Sequence, residues 1–73
     1  MDRIEFFNNL EDLIEADAGS LAAHSVLADI PGWDSMAIMG FIAFADEALG
    51  ITPAPQAIKS CQTVGDLMIL VGI

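Results

Sequence analysis

The chain is short of positive charge. Arg3 and Lys59 are its only basic residues, against eleven Asp and Glu, and the formal net charge over 73 residues is −9. Two cations cannot neutralise a row of phosphates, which excludes nucleic-acid binding through the backbone. The same shortage excludes an electrostatic binder of anionic membranes. Cysteine and histidine are also scarce. Cys61 alone forms no internal disulfide, and with the single His24 it makes a poor ligand set, so no metal site is expected. Long hydrophobic runs are missing too. The stretch from Met36 to Ala45 covers only ten uncharged residues, where a membrane span needs roughly 20. The first residues, with Asp2, Glu5, Asn8 and Asn9, are unlike a secretory signal. A soluble, cytoplasmic protein with a reduced Cys61 and no membrane span is expected.

What the chain does have is apolar content, 55% of its residues, with a mean hydropathy of +0.60. That is far too much for a disordered chain despite the charge. Seventy-three residues make one small domain, 1–73. A domain of this size is marginal without a staple, so its stability must come from helix packing or a partner. The charge is uneven. Residues 1–17 hold six acids and Arg3, whereas residues 51–73 set Lys59 against Asp66.

Periodicity points to helices. Asp2 is placed to cap a first helix, and Glu5 follows at capping-box spacing. Ile4, Phe7, Leu10 and Ile14 form one apolar stripe, widened by Phe6 and Leu13, with Glu11, Asp12 and Glu15 on the other side. Gly19 and Ser20 end the helix or begin the loop. Residues 20–33 read as a long loop anchored by Leu21, Val26, Leu27 and Ile30, with a turn at Pro31-Gly32. Asp34 and Ser35 are both good caps for a second helix running from Ser35 to Leu49, with Gly50 as its stop. That helix is apolar nearly all round until Asp46 and Glu47, as expected of a central helix or one that meets a partner. Pro55 opens a short helix to Ser60. Thr63 and Asp66 have capping-box spacing before a last stripe of Val64, Leu67, Met68 and Val71. No alternation marks a strand. The expected fold is all-α, a small four-helix bundle of three longer helices and one short one.

The segment Gly32-Trp33-Asp34-Ser35-Met36 resembles the signature of the acyl carrier protein family, Gly-x-Asp-Ser-Leu at the start of the second helix. The similarity extends to the length, the acidity, the long first loop, the Gly50-Ile51 helix exit and the Thr63-Val64-Gly65-Asp66 start of the last helix. The resemblance implies a non-catalytic carrier, with Ser35 bearing a covalent 4′-phosphopantetheine received from coenzyme A through a phosphopantetheinyl transferase. An acyl group would ride on the arm as a thioester, presented to acyl-loading and acyl-transferring enzymes. Asp34 and Met36 would flank the attachment hydroxyl for recognition, with Met36 in place of the usual Leu. A monomer is expected.

The chain also departs from the family pattern. Relatives commonly carry acids in the first half of the second helix, where this chain has Ala37, Ile38, Met39 and Gly40. An apolar docking face is expected instead, made by Trp33, Ile38, Met39 and Ile42, with Phe41, Ala45 and Leu49 turned to the core. Trp33 has two readings, a lid on the core or an interface residue. Gly40 costs about 0.8–1 kcal/mol in a helix relative to Ala, and close approach of another backbone or of the arm would justify it. Among cargo classes the acid-poor helix favours a specialised lipid or polyketide-type pathway over fatty acid synthesis in general. Aminoacyl or peptidyl carriage, and an interaction module without modification, are the alternatives. A nucleophilic enzyme using Ser35 and His24 fits poorly, because the spacing matches no Gly-x-Ser-x-Gly elbow and so small a domain has little room for a cleft.

Overall fold

The computed structural model describes all 73 residues. It contains four helices and no strand: α1 (Arg3–Leu13), α2 (Ser35–Leu49), α3 (Pro55–Lys59) and α4 (Val64–Leu70), with a 3₁₀ turn at Leu27–Asp29 in the loop after α1. This is the expected all-α bundle. No helix is long and apolar enough to cross a membrane.

Local chemistry fixes the helix ends. Asp2 caps α1 by accepting from the Glu5 amide at 2.8 Å. At its far end the Ala16 amide donates to the Glu11 carbonyl and the Glu15 amide to Asp12. Glu15 there takes the left-handed conformation, φ 56°, in which Gly is the usual residue. Gly50, φ 68°, ends α2 as its position implies. Thr63 and Asp66 form the full capping box of α4, the hydroxyl accepting from the Asp66 amide at 3.2 Å and the carboxylate from the Thr63 amide at 3.2 Å.

The core joins all four helices. Phe6 and Leu10 of α1 meet Phe41 and Ala45 of α2, Ile58 of α3 and Val64, Leu67 and Met68 of α4, with Leu27 and Val71 beside them. The rings of Phe6 and Phe41 meet edge to face, 6.1 Å between centroids, and Phe44 joins Phe6 at 6.2 Å. Such pairs add about 0.5–1.5 kcal/mol beyond the area they bury.

Two expectations for α1 are corrected. Its buried stripe is Phe6, Leu10 and Ile14, whereas Ile4 is 72% exposed. A helix of 3.6 residues per turn keeps one apolar line inward, and here Phe6 heads that line. Glu11 does not face solvent either. It is buried, and its carboxylate accepts from the Leu21 amide at 3.1 Å, tying the long loop to α1. The loop is also stitched to the start of α4. The Leu27 amide donates to Gln62, Val64 to Ser25 and Gly65 to Ala23, with one isolated bridge between Val26 and Thr63.

Gly40 and Gly32 let the pieces close. A Cβ at Gly40 would lie 2.7 Å from Cδ1 of Leu13, so α1 presses a side chain onto α2 at that point, not a backbone. A Cβ at Gly32 would lie 2.5 Å from the carbonyl oxygen of Ile14. The turn before α2 is thereby held against the end of α1.

Candidate functional site

The end of the long loop delivers Asp34 in extended conformation to the head of α2. Its Oδ1 accepts from the Ala37 amide at 2.9 Å, an N-cap of the kind that contributes about 1 kcal/mol. That cap makes Ser35 the first helical residue. Ser35 is exposed, and its hydroxyl takes no part in the side-chain hydrogen bonds of the fold. Of the first-turn amides beside it, that of Ala37 is taken by Asp34 and those of Ser35 and Met36 have no intrahelical acceptor, at the positive end of the helix dipole. An anion bonded to the Ser35 oxygen is favoured there by about 0.3–1 kcal/mol, enough to orient it but not to bind it.

Two hollows flank this helix start. On the α3 side, Ser35, Ile38, Met39, Ile42, Pro55 and Lys59 enclose about 140 Å³. On the α1 side, Leu13, Ile14, Glu15, Gly32, Asp34, Met36 and Ala37 line about 290 Å³. The first is apolar apart from Ser35 and Lys59, and the second carries two carboxylates. No His, Asp or Glu lines the hollow that Ser35 shares; its polar members are Ser35 and Lys59.

The residues singled out from sequence sort into three settings. Asp34, Ser35 and Met36 lie together at the tip, with Met36 80% exposed. Met39 is 70% exposed on the same end of α2. Ile38 and Ile42 are half-buried, each packing on the core while lining the α3-side hollow. Trp33 is half-buried and meets Phe41 edge to face at 6.1 Å and 71°. It packs on the core at the point where the loop enters α2 and keeps part of its ring exposed.

Pro55, Lys59 and the role of Gly32 escape a reading by spacing. Pro55 and Lys59 lie twenty or more positions beyond Ser35, and only the packing of α3 against α2 brings them to it. Gly32 carries a turn signal, but its contact with Ile14 is tertiary. His24 is an exposed loop residue. Cys61 is half-buried on the loop after α3, with Sγ 3.4 Å from the Ala57 carbonyl. Burial pushes its thiol pKa up, and the nearby Asp66 carboxylate adds to that. Asp66 itself is held below the usual carboxylate range by the amides of Gln62 and Thr63 that it accepts from.

Comparison with known proteins gives a relative that spans most of the chain. The acyl carrier protein MbtL of Mycolicibacterium paratuberculosis is 33% identical over 63 residues, 86% of this chain and 71% of that protein. No family model matches the sequence, and no solved structure matches it significantly.

Proposed function

Because this chain belongs to the acyl carrier protein family, we propose that it is a non-catalytic carrier whose Ser35 bears 4′-phosphopantetheine. The observation that carries this reading is the setting of Ser35: exposed, free of internal hydrogen bonds, first in α2, and opening onto an apolar hollow. The donor chemistry fits such a group. The Ser35 alcohol would form the phosphodiester linkage, the first-turn amides that Asp34 leaves free would donate to its oxygens, and the apolar walls of the hollow would suit the first carbons of an acyl chain. When bound, the arm supplies the thiol on which an acyl group is held as a thioester.

The chain's own residues present the attachment point. Asp34 caps α2 and so fixes Ser35 at the helix start. Trp33 anchors the approaching loop on Phe41. Met36 and Met39 project from the same end of α2 and offer flexible apolar contact to a phosphopantetheinyl transferase and to enzymes that load or remove the acyl group. With Trp33, Ile38 and Ile42 at its margin, this is a docking face with no acid before Asp46. That composition supports a specialised lipid or polyketide-type pathway, whose partners meet the carrier through apolar contact. The acids of α1 contribute long-range steering toward basic partners.

Incubation of the apo chain with coenzyme A, Mg²⁺ and a broad-specificity phosphopantetheinyl transferase tests the reading by intact mass. One phosphopantetheine is expected on the wild type and none on Ser35→Ala. An unchanged wild-type mass refutes carriage. Met39→Glu tests the docking face, because Met39 is exposed and the change leaves the core alone. Helicity should persist while loading slows, and loading at the wild-type rate contradicts an apolar docking face.

A further inference from the structure

The chain has two cations, and one of them stands at the candidate attachment site. Lys59 and Ser35 line the same hollow of about 140 Å³ between α2 and α3. Lys59 is exposed, and its ammonium serves none of the side-chain hydrogen bonds of the fold. Arg3, the other cation, lines a different hollow with Ala23, Gly65, Met68, Ile69 and Ile73. The opposite flank of Ser35 is negative, since Glu15 and Asp34 both line the α1-side hollow. Ser35 thus lies between a hollow lined by one of the two cations and a hollow lined by two acidic residues, in a molecule of net charge −9.

Resting on the carrier reading above, we propose that Lys59 is a positioning residue. It pairs with the phosphodiester on Ser35 and turns the arm toward the α2–α3 hollow, while Glu15 and Asp34 repel it from the α1 side. The four-carbon Lys stem is flexible enough to follow the phosphate across a shared hollow. A single exposed pair of this kind is modest. At about 4 Å in water it biases the two directions roughly fivefold, and salt weakens it. A bias of that size sets where the arm rests without locking it there, as a carrier that must hand over its cargo requires. A purely local role, Lys59 facing the C-terminal end of α3, needs no arm and predicts the same behaviour before and after loading.

The test uses the full chain, loaded on Ser35 and checked by intact mass, with nuclear Overhauser contacts read from the arm protons at low salt. In the wild type these contacts should fall on Pro55 and Ile42 more than on Gly32 and Ala37. Lys59→Gln should weaken the Pro55 and Ile42 contacts about threefold to fivefold, Lys59→Arg should restore them, and high salt should mimic Lys59→Gln. Circular dichroism of both variants should match the wild type. Contacts unchanged in Lys59→Gln, or indifferent to salt, or concentrated on Gly32 in the wild type, overturn the role of Lys59 while leaving the carrier reading intact. Failure of Ser35 to load at all overturns both.

Discussion

Replacing Gly32 with Ala should destabilise the fold far more than the same change at Gly40, although Gly40 is the glycine inside a helix. At Gly32 the added Cβ would sit 2.5 Å from the Ile14 carbonyl oxygen, 3.0 Å from the Ile14 Cβ and 3.3 Å from its carbonyl carbon. Relief requires a backbone shift of roughly 0.7–1 Å to reach normal contact distance. Ile14 is a core residue at the end of α1, so the shift also loosens packing. Overpacking costs about 1–3 kcal/mol, and a clash with backbone belongs at the upper end. For a chain of this length that lowers Tm by about 10–20 °C. At Gly40 the obstacle is Cδ1 of Leu13 at 2.7 Å, the tip of a half-buried side chain. The gain in helix propensity, about 0.8–1 kcal/mol, offsets most of the cost of turning that side chain. Gly40→Ala should therefore stay within about 1 kcal/mol of the wild type. In a Leu13→Ala background it should be stabilising by nearly the full propensity difference. Denaturant melts followed by circular dichroism measure all of these. A Gly32→Ala protein as stable as the wild type, or a Gly40→Ala protein less stable than Gly32→Ala, refutes the account of how α1 and the loop meet. Because Gly32 lies three residues before Ser35, Gly32→Ala should also slow loading of the folded protein.

Glu11→Ala leaves the Leu21 amide without its acceptor and should cost about 1–3 kcal/mol. Hydrogen exchange at Leu21 should accelerate in Glu11→Ala and much less in Glu11→Gln, which keeps an acceptor oxygen. Asp66 is held below the ordinary carboxylate range by the amides of Gln62 and Thr63. A lowered folded pKa contributes stability above the unfolded value, about 3.9, and that contribution is lost as pH falls through the folded value. The stability gap between wild type and Asp66→Asn should therefore be constant from neutral pH down to about pH 5 and shrink in stronger acid. A gap that grows on acidification contradicts the assignment of the cap.

The legible parts of this chain were those in which a local signal and the fold agree. Asp34 as cap, Ser35 as first residue and Gly50 as stop bound α2 as the sequence implies, and Thr63 with Asp66 forms the expected capping box. Periodicity placed Val64, Leu67, Met68 and Val71 inside. In α1 it placed Leu10 and Ile14 inside but misplaced Ile4, because Ile4 and Phe6 are both apolar and only tertiary packing chooses between them. A charged residue such as Glu11 is read as exposed unless its partner is known, and that partner is a backbone amide ten residues away in the loop. The candidate site divides the same way. Asp34, Ser35 and Met36 are contiguous and visible in one glance, whereas Lys59 and Pro55 reach Ser35 only through the docking of α3 on α2. Trp33 carried two readings in the sequence; it meets Phe41 on one side while staying half-exposed, an arrangement compatible with both.

The central claim is that Ser35, among all the hydroxyls of the chain, carries the arm. Fragmentation mass spectrometry of the transferase-loaded protein, mapping the added phosphopantetheine to a residue, tests it most directly. The account predicts one group, on Ser35. A group on Ser20, Ser25, Ser60, Thr52 or Thr63, or an unmodified Ser35 in fully loaded protein, contradicts it.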